Sequence, residues 1–379
     1  MSKIFELFGY PLDNWTEEAK LNFSKAHCPF MDAECDGGGN RYLSKIDLEK
    51  HVGLKPFFPG KRIIQSGVCS LRPSPLGQPW LVCPRRLFAC RAGQMQHQRA
   101  VLDKLLELSG SSASETLRIW SEVKLKAKVS TKDDETKVFD YTFDYVIAGK
   151  RRISAKEGSA LLGESEAKVV QKAKENGYTC SRRGKETWIE DFPSDPVVIV
   201  EVMTSSTSGG DKEKRTQIAM AVEDAVKNGM NHEGPDINYR QVWARMVSQL
   251  FVKSQIGMAW GGKTIWILQD VLADYISKTT ALDLNKYLSQ YVDEVNMLVF
   301  GYGDKAFPDK RPEGVIELGD SRFFSGPIST GGAEASGFID IVKLGAPPPK
   351  NLLWRTLLFK KPRMTVERSN GKENENEMV

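Results

Sequence analysis

The alternation of apolar and polar positions in the middle of the chain predicts strands. The stretch VFDYTFDYVIA, residues 138–148, alternates, which places four aromatic side chains on one face of a strand: Phe139, Tyr141, Phe143 and Tyr145. The stretch DPVVIVEVMT, residues 195–204, is almost continuously apolar, as is typical of a strand buried on both faces. KTIWILQ and VNMLVFGYG predict two further central strands.

Apolar residues at helical spacing predict helices between these strands. The predicted helices cover 99–108, a segment from the SGSSASE stretch to about 123, a pair ending near 177, 212–227, 238–253 and 270–278. Strands that alternate with helices indicate an α/β fold.

Composition divides the 379 residues into four predicted parts. Residues 1–95 are rich in Gly, Pro and Cys and predict an irregular module, 96–310 a core, and 311–368 a C-terminal extension. Residues 369–379 are polar and predict a disordered tail. The N-terminal stretch MSKIFELFGY lacks the apolar run of a signal peptide, and no stretch approaches a membrane span, so we expect a cytoplasmic protein that does not contact a membrane.

The net charge of +4 permits binding to nucleic acid but does not by itself argue for it. Basic residues occur in adjacent pairs, and a solvated surface is the ordinary interpretation of each pair. The arginines that we consider as DNA contacts are Arg85, Arg86, Arg151, Arg152, Arg182 and Arg183.

Four of the six cysteines fall in the first quarter of the chain: Cys28, Cys35, Cys69 and Cys83. Four thiolates can close one tetrahedral metal site, and thiols of a cytoplasmic protein stay reduced. The alternative is that they are buried apolar thiols that bind nothing. Cys90 and Cys180 have no comparable partners and are interpreted as structural.

Two acidic residues stand where buried strands rarely carry charge. Glu201 follows the run of 196–200, and Asp144 ends the polar side of the earlier strand. Carboxylates so placed can hold Mg²⁺, which suits phosphodiester hydrolysis. The alternative is that both acids simply reach solvent at strand ends. Met203 projects to the same face as Glu201, at the position where PD-(D/E)xK nucleases carry a lysine.

Several motifs together resemble those of the NotI-type restriction endonucleases. They are FELFGYP, HCPF, SGVC, WLVCP, FDYTFDYVI, VIVEVMT and the long stretch NYRQVWARMVSQLFVKSQIGMAWGGKTIWILQDVLADYI. The similarity covers about residues 5–300 in matching order. It implies a PD-(D/E)xK core, a mixed central sheet flanked by helices, with an N-terminal four-cysteine metal module that helps dock DNA.

The resemblance implies roles for individual residues. Cys28, Cys35, Cys69 and Cys83 match a structural iron site, and zinc is the alternative because both metals accept four thiolates. The expected Mg²⁺ ligands are Asp144 and Glu201, and Met203 takes the slot where the family carries glutamine. Glu122 matches an additional upstream acid less well. We also consider that Lys212 reaches the scissile phosphate, against the alternative of a solvated lysine.

The implied activity is that of a type II restriction endonuclease. It would hydrolyse both strands of DNA with Mg²⁺ and leave 5′-phosphate and 3′-hydroxyl ends. Arginine commonly reads guanine, which favours a GC-rich site, and a palindromic site would imply a homodimer because palindromes mirror two-fold symmetry. The resemblance also implies a cognate DNA methyltransferase in the host. Two alternatives stay open: a non-cleaving DNA-binding protein on a decayed nuclease fold, and a four-cysteine nucleic-acid module on an unrelated α/β domain.

Overall fold

The computed structural model describes residues 2–38, 45–91, 95–111, 116–130, 136–208, 210–279, 282, 284–328 and 349–367. The predicted disordered tail, 369–379, lies outside these residues.

Short elements make up the N-terminal part of the chain. They are β1 (Lys3–Leu7), β2 (Tyr10–Pro11), α1 (Glu17–Ser24), β3 (His27–Cys28), β4 (Ala33–Glu34), β5 (Lys45–Asp47), β6 (Ile63–Gln65), β7 (Val68–Arg72), β8 (Trp80–Leu81) and α2 (Pro84–Leu87). Four of these strands form a sheet in the order β2-β1-β7-β8.

Longer elements follow and form the main sheet with its helices. They are α3 (Gln96–Leu108), β9 (Thr116–Ser130), β10 (Thr136–Ser154), α4 (Ala155–Leu162), α5 (Glu166–Glu175), β11 (Cys180–Arg183), β12 (Glu186–Met203), α6 (Ile218–Asn228), α7 (Tyr239–Ala259), β13 (Lys263–Gln269), α8 (Asp270–Thr279), β14 (Val295–Gly301), β15 (Gly319–Gly326), α9 (Lys350–Leu358) and β16 (Met364–Glu367).

The main sheet is mixed. Its order is β15-β14-β13-β12-β10-β9-β16, and β11 pairs with β12 outside this path. Strands β12, β13 and β14 are parallel to one another, because α7 and α8 return the chain between them, whereas the other neighbours are antiparallel. The predicted α/β class is therefore confirmed as a large mixed sheet with helices on it.

Strand β12 is buried on both faces, as its apolar run predicts. Its alternate side chains Val198, Val200 and Val202 pack in the same core cluster as helix α3, and we call this side of the sheet the α3 face. Val197 and Ile199 pack on the other side in a cluster that contains residues of helix α7, and we call this side the α7 face. Glu201 and Met203 follow in phase with Val197 and Ile199, so the two residues share one face, as predicted, and this face is the α7 face.

Local capping explains where several helices begin. The hydroxyl groups of Ser154 and Ser165 accept backbone N–H groups at the starts of α4 and α5, and Gly163 ends α4 in the left-handed conformation. The helix predicted over 212–227 begins only at Ile218. The residues before it form a turn in which the Asp211 carboxylate accepts two backbone N–H groups.

The predicted helix that ends near 123 is wrong, because this segment forms strand β9. Its apolar residues do alternate, but they change face part-way. Leu117 and Ile119 pack on the α3 face, whereas Val123 and Leu125 pack on the α7 face. The switch changes the facing and not the sequence pattern, because the apolar residues keep a period of two; the sequence therefore carries a strand signal that the helix prediction missed.

Strand β10 makes the same switch, and this corrects the prediction for its aromatic residues. Phe139 and Phe143 pack on the α7 face, but Tyr145 packs on the α3 face with Ile147. The cause lies directly across the ladder, where Glu122 of β9 has a left-handed φ of 53° between the paired residues on either side of it. Such a residue adds local twist and re-aims its neighbours.

The N-terminal elements share their core with the main sheet. Ile4 and Leu7 cluster with Trp266 of β13, and Phe5 clusters with residues of the α3 face. The division of the chain at residue 95 stays a prediction. Within the described residues, no helix is long and apolar enough to cross a membrane.

Candidate active site

The two acidic residues meet where strands β10 and β12 separate. The main-chain ladder between these strands ends at the pair Tyr145 and Val200, while β12 continues alongside β13. Beyond this pair, hydrogen bonds from the backbone to side chains replace the main-chain hydrogen bonds between the two strands. The Asp144 carboxylate accepts the backbone N–H of Val202 at 2.9 Å, and the Glu201 carboxylate accepts the backbone N–H of Asp144 at 3.3 Å. We call this place the fork.

A lysine from helix α7 completes the fork. The Lys253 ammonium donates to Glu201 Oε2 at 2.6 Å and to the carbonyl oxygen of Thr142 at 2.8 Å. Glu201 is 3% exposed and Lys253 is 4% exposed. A buried charge is costly unless it is paired, so each of these two groups stabilises the other in its ionised form.

Sequence reasoning missed Lys253, although the chain carries a signal for it. Met246 and Leu250 are buried on the sheet side of α7, and Lys253 follows Leu250 by three positions. A lysine in phase with a buried apolar stripe needs a partner, and Glu201 is an acid in a buried strand with the same need. A search for a partner of each buried charge would have indicated the contact between Lys253 and Glu201.

Glu122 of β9 lies across the ladder from Asp144 of β10, but its side chain is directed to Arg85. Its carboxylate accepts Arg85 Nη2 at 3.1 Å and its side chain is 58% exposed. The Lys360 ammonium contacts the backbone carbonyl oxygen atoms of Ser121 and Glu122, which holds the left-handed residue in place. The structure thus brings the backbone of Glu122, rather than its carboxylate, to the fork.

The remaining two catalytic candidates differ in position. Met203 is half-buried on the α7 face and packs against the apolar core, so it brings no polar atom to the fork. Lys212 is exposed in the turn before α6, not at a helix start. Lys253 is therefore the lysine that the structure places on Glu201.

The four N-terminal cysteines come together in one cluster. Cys28, Cys69 and Cys83 are buried around Phe30, and Cys35 packs against them. We call these four residues the cysteine cluster. All six cysteines of the chain are free thiols. Cys90 is buried with its sulfur near that of Met364, and Cys180 is half-buried in β11.

Burial and hydrogen bonds act in opposite directions on the cysteine cluster. Burial raises the pKa of the Cys28 thiol to about 12 and also raises the pKa of Cys35, while the hydrogen bond between Cys69 and Cys83 raises the pKa of Cys69 and lowers that of Cys83. Backbone N–H groups point at three of the sulfur atoms, those of Cys28, Cys35 and Cys83. Such donors favour thiolates, and buried thiolates need a cation. Within the described residues no group of three or more side chains has metal-ligand geometry as it stands, so a bound metal remains a proposal.

The structure corrects two of the six arginine candidates. Arg86 is fully buried and forms a bidentate ion pair with Glu6, so it cannot reach DNA. Arg85 is 15% exposed, and its guanidinium binds Asp36, Tyr145 and Glu122 inside the protein.

The other four arginines are exposed on the long hairpins of β10, β11 and β12. Arg151 pairs with Glu157, Arg152 stacks on Trp188, and Arg183 lies 3.8 Å from Glu190. Arg182 is exposed on β11. These four exposed arginines stay candidates for contacts with a phosphate backbone.

Comparison with known proteins gives no further guide to the site. No family model, no curated protein and no solved structure matches this chain. The resemblance to NotI-type endonucleases therefore stays a prediction that depends on the motifs themselves.

Proposed function

We propose that the protein is a type II restriction endonuclease that hydrolyses double-stranded DNA with Mg²⁺. The observation that carries the proposal is the ion pair between Lys253 and the buried Glu201, beside Asp144 in the fork. Two acids and a lysine are the groups that the PD-(D/E)xK chemistry requires. Here the lysine comes from helix α7 rather than from the position two residues after the glutamate, which Met203 occupies.

The donor set of the fork fits a magnesium ion. Asp144 and Glu201 are hard oxygen ligands held on adjacent strands, and the carbonyl oxygen of Val202 would add a third. When bound, the ion would supply Lewis-acid chemistry by neutralising phosphate charge and making a water more acidic.

The residues of the chain itself have separate tasks. Glu201 and the carbonyl oxygen of Thr142 hold the Lys253 ammonium at a fixed position. From there the ammonium would stabilise negative charge that develops on the scissile phosphate and orient the attacking water. Asp144 is half-buried, so DNA would approach the fork from the exposed side of this residue. Attack in line would leave a 5′-phosphate and a 3′-hydroxyl.

The proposed partners follow from this activity. Exposed Arg151, Arg152, Arg182 and Arg183 would contact DNA, mainly at phosphates because these contacts outnumber base contacts. A GC-rich palindrome would be cut by a homodimer, and a host methyltransferase would protect that sequence. The cysteine cluster would hold iron, or zinc, as a structural centre of a DNA-docking module.

Incubation of the purified protein with phage DNA, with and without Mg²⁺, tests the proposal. We expect discrete fragments only with Mg²⁺. Glu201→Gln should slow cleavage about a thousandfold while DNA binding persists, because it removes an anionic ligand that acts on the transition state. Glu186→Gln is the matched control, since Glu186 lies exposed at the other end of β12 and should leave the rate unchanged.

Two outcomes would overturn this assignment. DNA binding without fragments under any Mg²⁺ condition would identify a non-cleaving DNA-binding protein. Fragments produced by Glu201→Gln at the wild-type rate would place the catalytic metal elsewhere.

A further inference from the structure

Arg85 connects the cysteine cluster to the two strands that form the fork. Its guanidinium donates to Asp36 on one side, at 3.1 Å. On the other side it donates to the Tyr145 hydroxyl of β10 and to the Glu122 carboxylate of β9, each at 3.1 Å. Each of the three guanidinium nitrogen atoms makes one of these bonds, so the planar group joins three separate segments.

The partners of Arg85 are immediate neighbours of functional candidates. Asp36 follows Cys35, and Arg85 itself lies two residues after Cys83, whose sulfur its backbone N–H approaches. Tyr145 follows Asp144, and Glu122 is the left-handed residue across the ladder. The Arg85 side chain would therefore transmit a shift of the Cys35 or Cys83 segment to Tyr145 and Glu122, which lie on either side of Asp144.

A second attachment joins the same module to the other strand of the fork. The backbone N–H of Ser205 donates to the carbonyl oxygen of Leu81 at 2.8 Å, and the Thr204 hydroxyl donates to that of Val82 at 3.3 Å. Thr204 and Ser205 follow Met203 directly, so the segment that leads to Cys83 is fastened to the end of β12. With this end fixed, Arg85 sets the position of β10 and β9 relative to it.

We propose that Arg85 is a positioning residue through which the cysteine cluster sets the divalent-metal affinity of the fork. The inference depends on the proposed function, because it assigns a metal to Asp144 and Glu201. Arg85 touches neither carboxylate, and it acts by fixing Tyr145 and Glu122 on either side of Asp144. Groups that hydrogen-bond metal ligands directly typically change metal affinity by about ten- to a hundredfold, and Arg85 acts one step further out, so we expect the lower end of this range.

The test is a titration with Mn²⁺ as the probe, followed by electron paramagnetic resonance in the absence of DNA. We expect Arg85→Met to weaken Mn²⁺ binding about tenfold. The Mg²⁺ concentration for half-maximal cleavage should rise to a similar extent, while DNA binding and the metal content of the cysteine cluster stay at the wild-type level.

Arg91→Met is the matched control. Arg91 also braces a cysteine-bearing segment, through Asp32 and the carbonyl oxygen of Pro29. These two contacts hold the Cys28 segment, whereas those of Arg85 reach β9 and β10, so Arg91→Met should leave Mn²⁺ affinity within about twofold of wild type. Asp36→Asn is a milder second variant that keeps Arg85 on Tyr145 and Glu122 but weakens its link to Cys35, and it should shift Mn²⁺ affinity in the same direction.

The outcomes separate this inference from the proposed function. Unchanged Mn²⁺ affinity in both Arg85→Met and Asp36→Asn overturns the positioning role, and so does an equal loss in Arg91→Met, which would mean general loosening. A wild-type protein that binds Mn²⁺ but cuts no DNA, with Arg85→Met weakened as expected, supports the positioning role while the proposed function fails. A wild-type protein that binds no Mn²⁺ overturns both.

Discussion

Two buried ion pairs in this molecule have similar chemistry and very different surroundings. Arg86 and Glu6 are fully buried, and the Glu6 carboxylate also accepts the hydroxyl groups of Ser70 and Tyr302. Lys253 and Glu201 are almost as deeply buried, but a second carboxylate, that of Asp144, lies beside them. A buried ion pair is therefore not in itself a sign of catalysis.

A second carboxylate distinguishes the two places. One arginine faces one glutamate in the pair of Arg86 and Glu6, whereas the carboxylates of Asp144 and Glu201 lie together at the fork, with the Lys253 ammonium on Glu201. Asp144 is half-buried, whereas Arg86 and Glu6 are fully enclosed. Removing one partner of the enclosed pair should destabilise the fold, and the two carboxylates at the fork are the hard oxygen ligands that the proposed Mg²⁺ would need.

Arg86→Met gives the largest expected effect and tests the structural half of this comparison. It leaves the Glu6 carboxylate buried without its cation, which should lower the free energy of unfolding by about 3–5 kcal/mol. Urea denaturation followed by circular dichroism measures the loss. The double variant Glu6→Leu/Arg86→Met removes both charges and should recover part of it. A single variant within about 1 kcal/mol of wild type would show that this pair does not stabilise the fold.

Lys253→Met tests the other half of the comparison, the proposed catalytic role of the fork. It removes the ammonium from the fork, so we expect DNA cleavage under single-turnover conditions at saturating Mg²⁺ to slow about a hundredfold or more. Lys212→Met is the control, because Lys212 is exposed in the turn before α6 and its loss should not change the rate. Equal rates for wild type and Lys253→Met would remove Lys253 from the mechanism.

Moving the lysine sharpens the same comparison. In Lys253→Met/Met203→Lys the ammonium returns to the face of β12 that carries Glu201, two residues further along. We expect about a tenfold gain in cleavage rate over Lys253→Met alone, because the charge is restored near the scissile phosphate but with less exact support. No gain, in a double variant that folds, would mean that the α7 position itself is required.

The smallest effect concerns pH and the strand that carries Glu6. Burial lowers the pKa of His232 below its ordinary value of 6.5. Its Nε2 accepts the backbone N–H of Ile4, and Nδ1 lies 2.7 Å from the carbonyl oxygen of Gly229, which is an arrangement of neutral imidazole. The unfolded chain therefore takes up the proton first, and this contribution to stability is lost as the pH falls below about 6.5.

Urea denaturation at pH 7.5 and 5.5 measures this loss. His232→Gln removes the titrating group, so its stability should fall less between the two pH values than that of the wild type. Other buried groups, such as His97, are common to both proteins and cancel in the difference. An equal fall in both proteins would exclude His232 as a source of the pH dependence.

Much of the central sheet could be predicted from sequence, because its strands carry uninterrupted local patterns. The apolar run of 196–200 alone indicates a buried strand, and Glu201 stands out in it. The grouping of the cysteines is also visible from composition. Strand β9 was missed although its apolar residues at 117, 119, 123 and 125 keep a period of two; what the sequence does not show is that the left-handed Glu122 reverses their facing between Ile119 and Val123.

The charged partners of the site were harder to predict, since they depend on tertiary packing. Lys253 reaches Glu201 from a helix, and no rule of strand spacing relates the two positions. Arg85 and Arg86 are adjacent basic residues that look like a surface pair, yet one links the cysteine cluster to the fork and the other is enclosed with Glu6. Only the fold distinguishes them.

The origin of Lys253 in helix α7 also determines when the fork can be completed during protein synthesis. Asp144 and Glu201 leave the ribosome first, and Lys253 follows 52 residues after Glu201. The hydrogen bonds of Glu6 are completed later still, because the Tyr302 hydroxyl group that donates to its carboxylate lies 296 residues away. A nascent chain therefore carries both carboxylates for some time without the lysine, and an incomplete chain released before residue 253 would lack the proposed catalytic group.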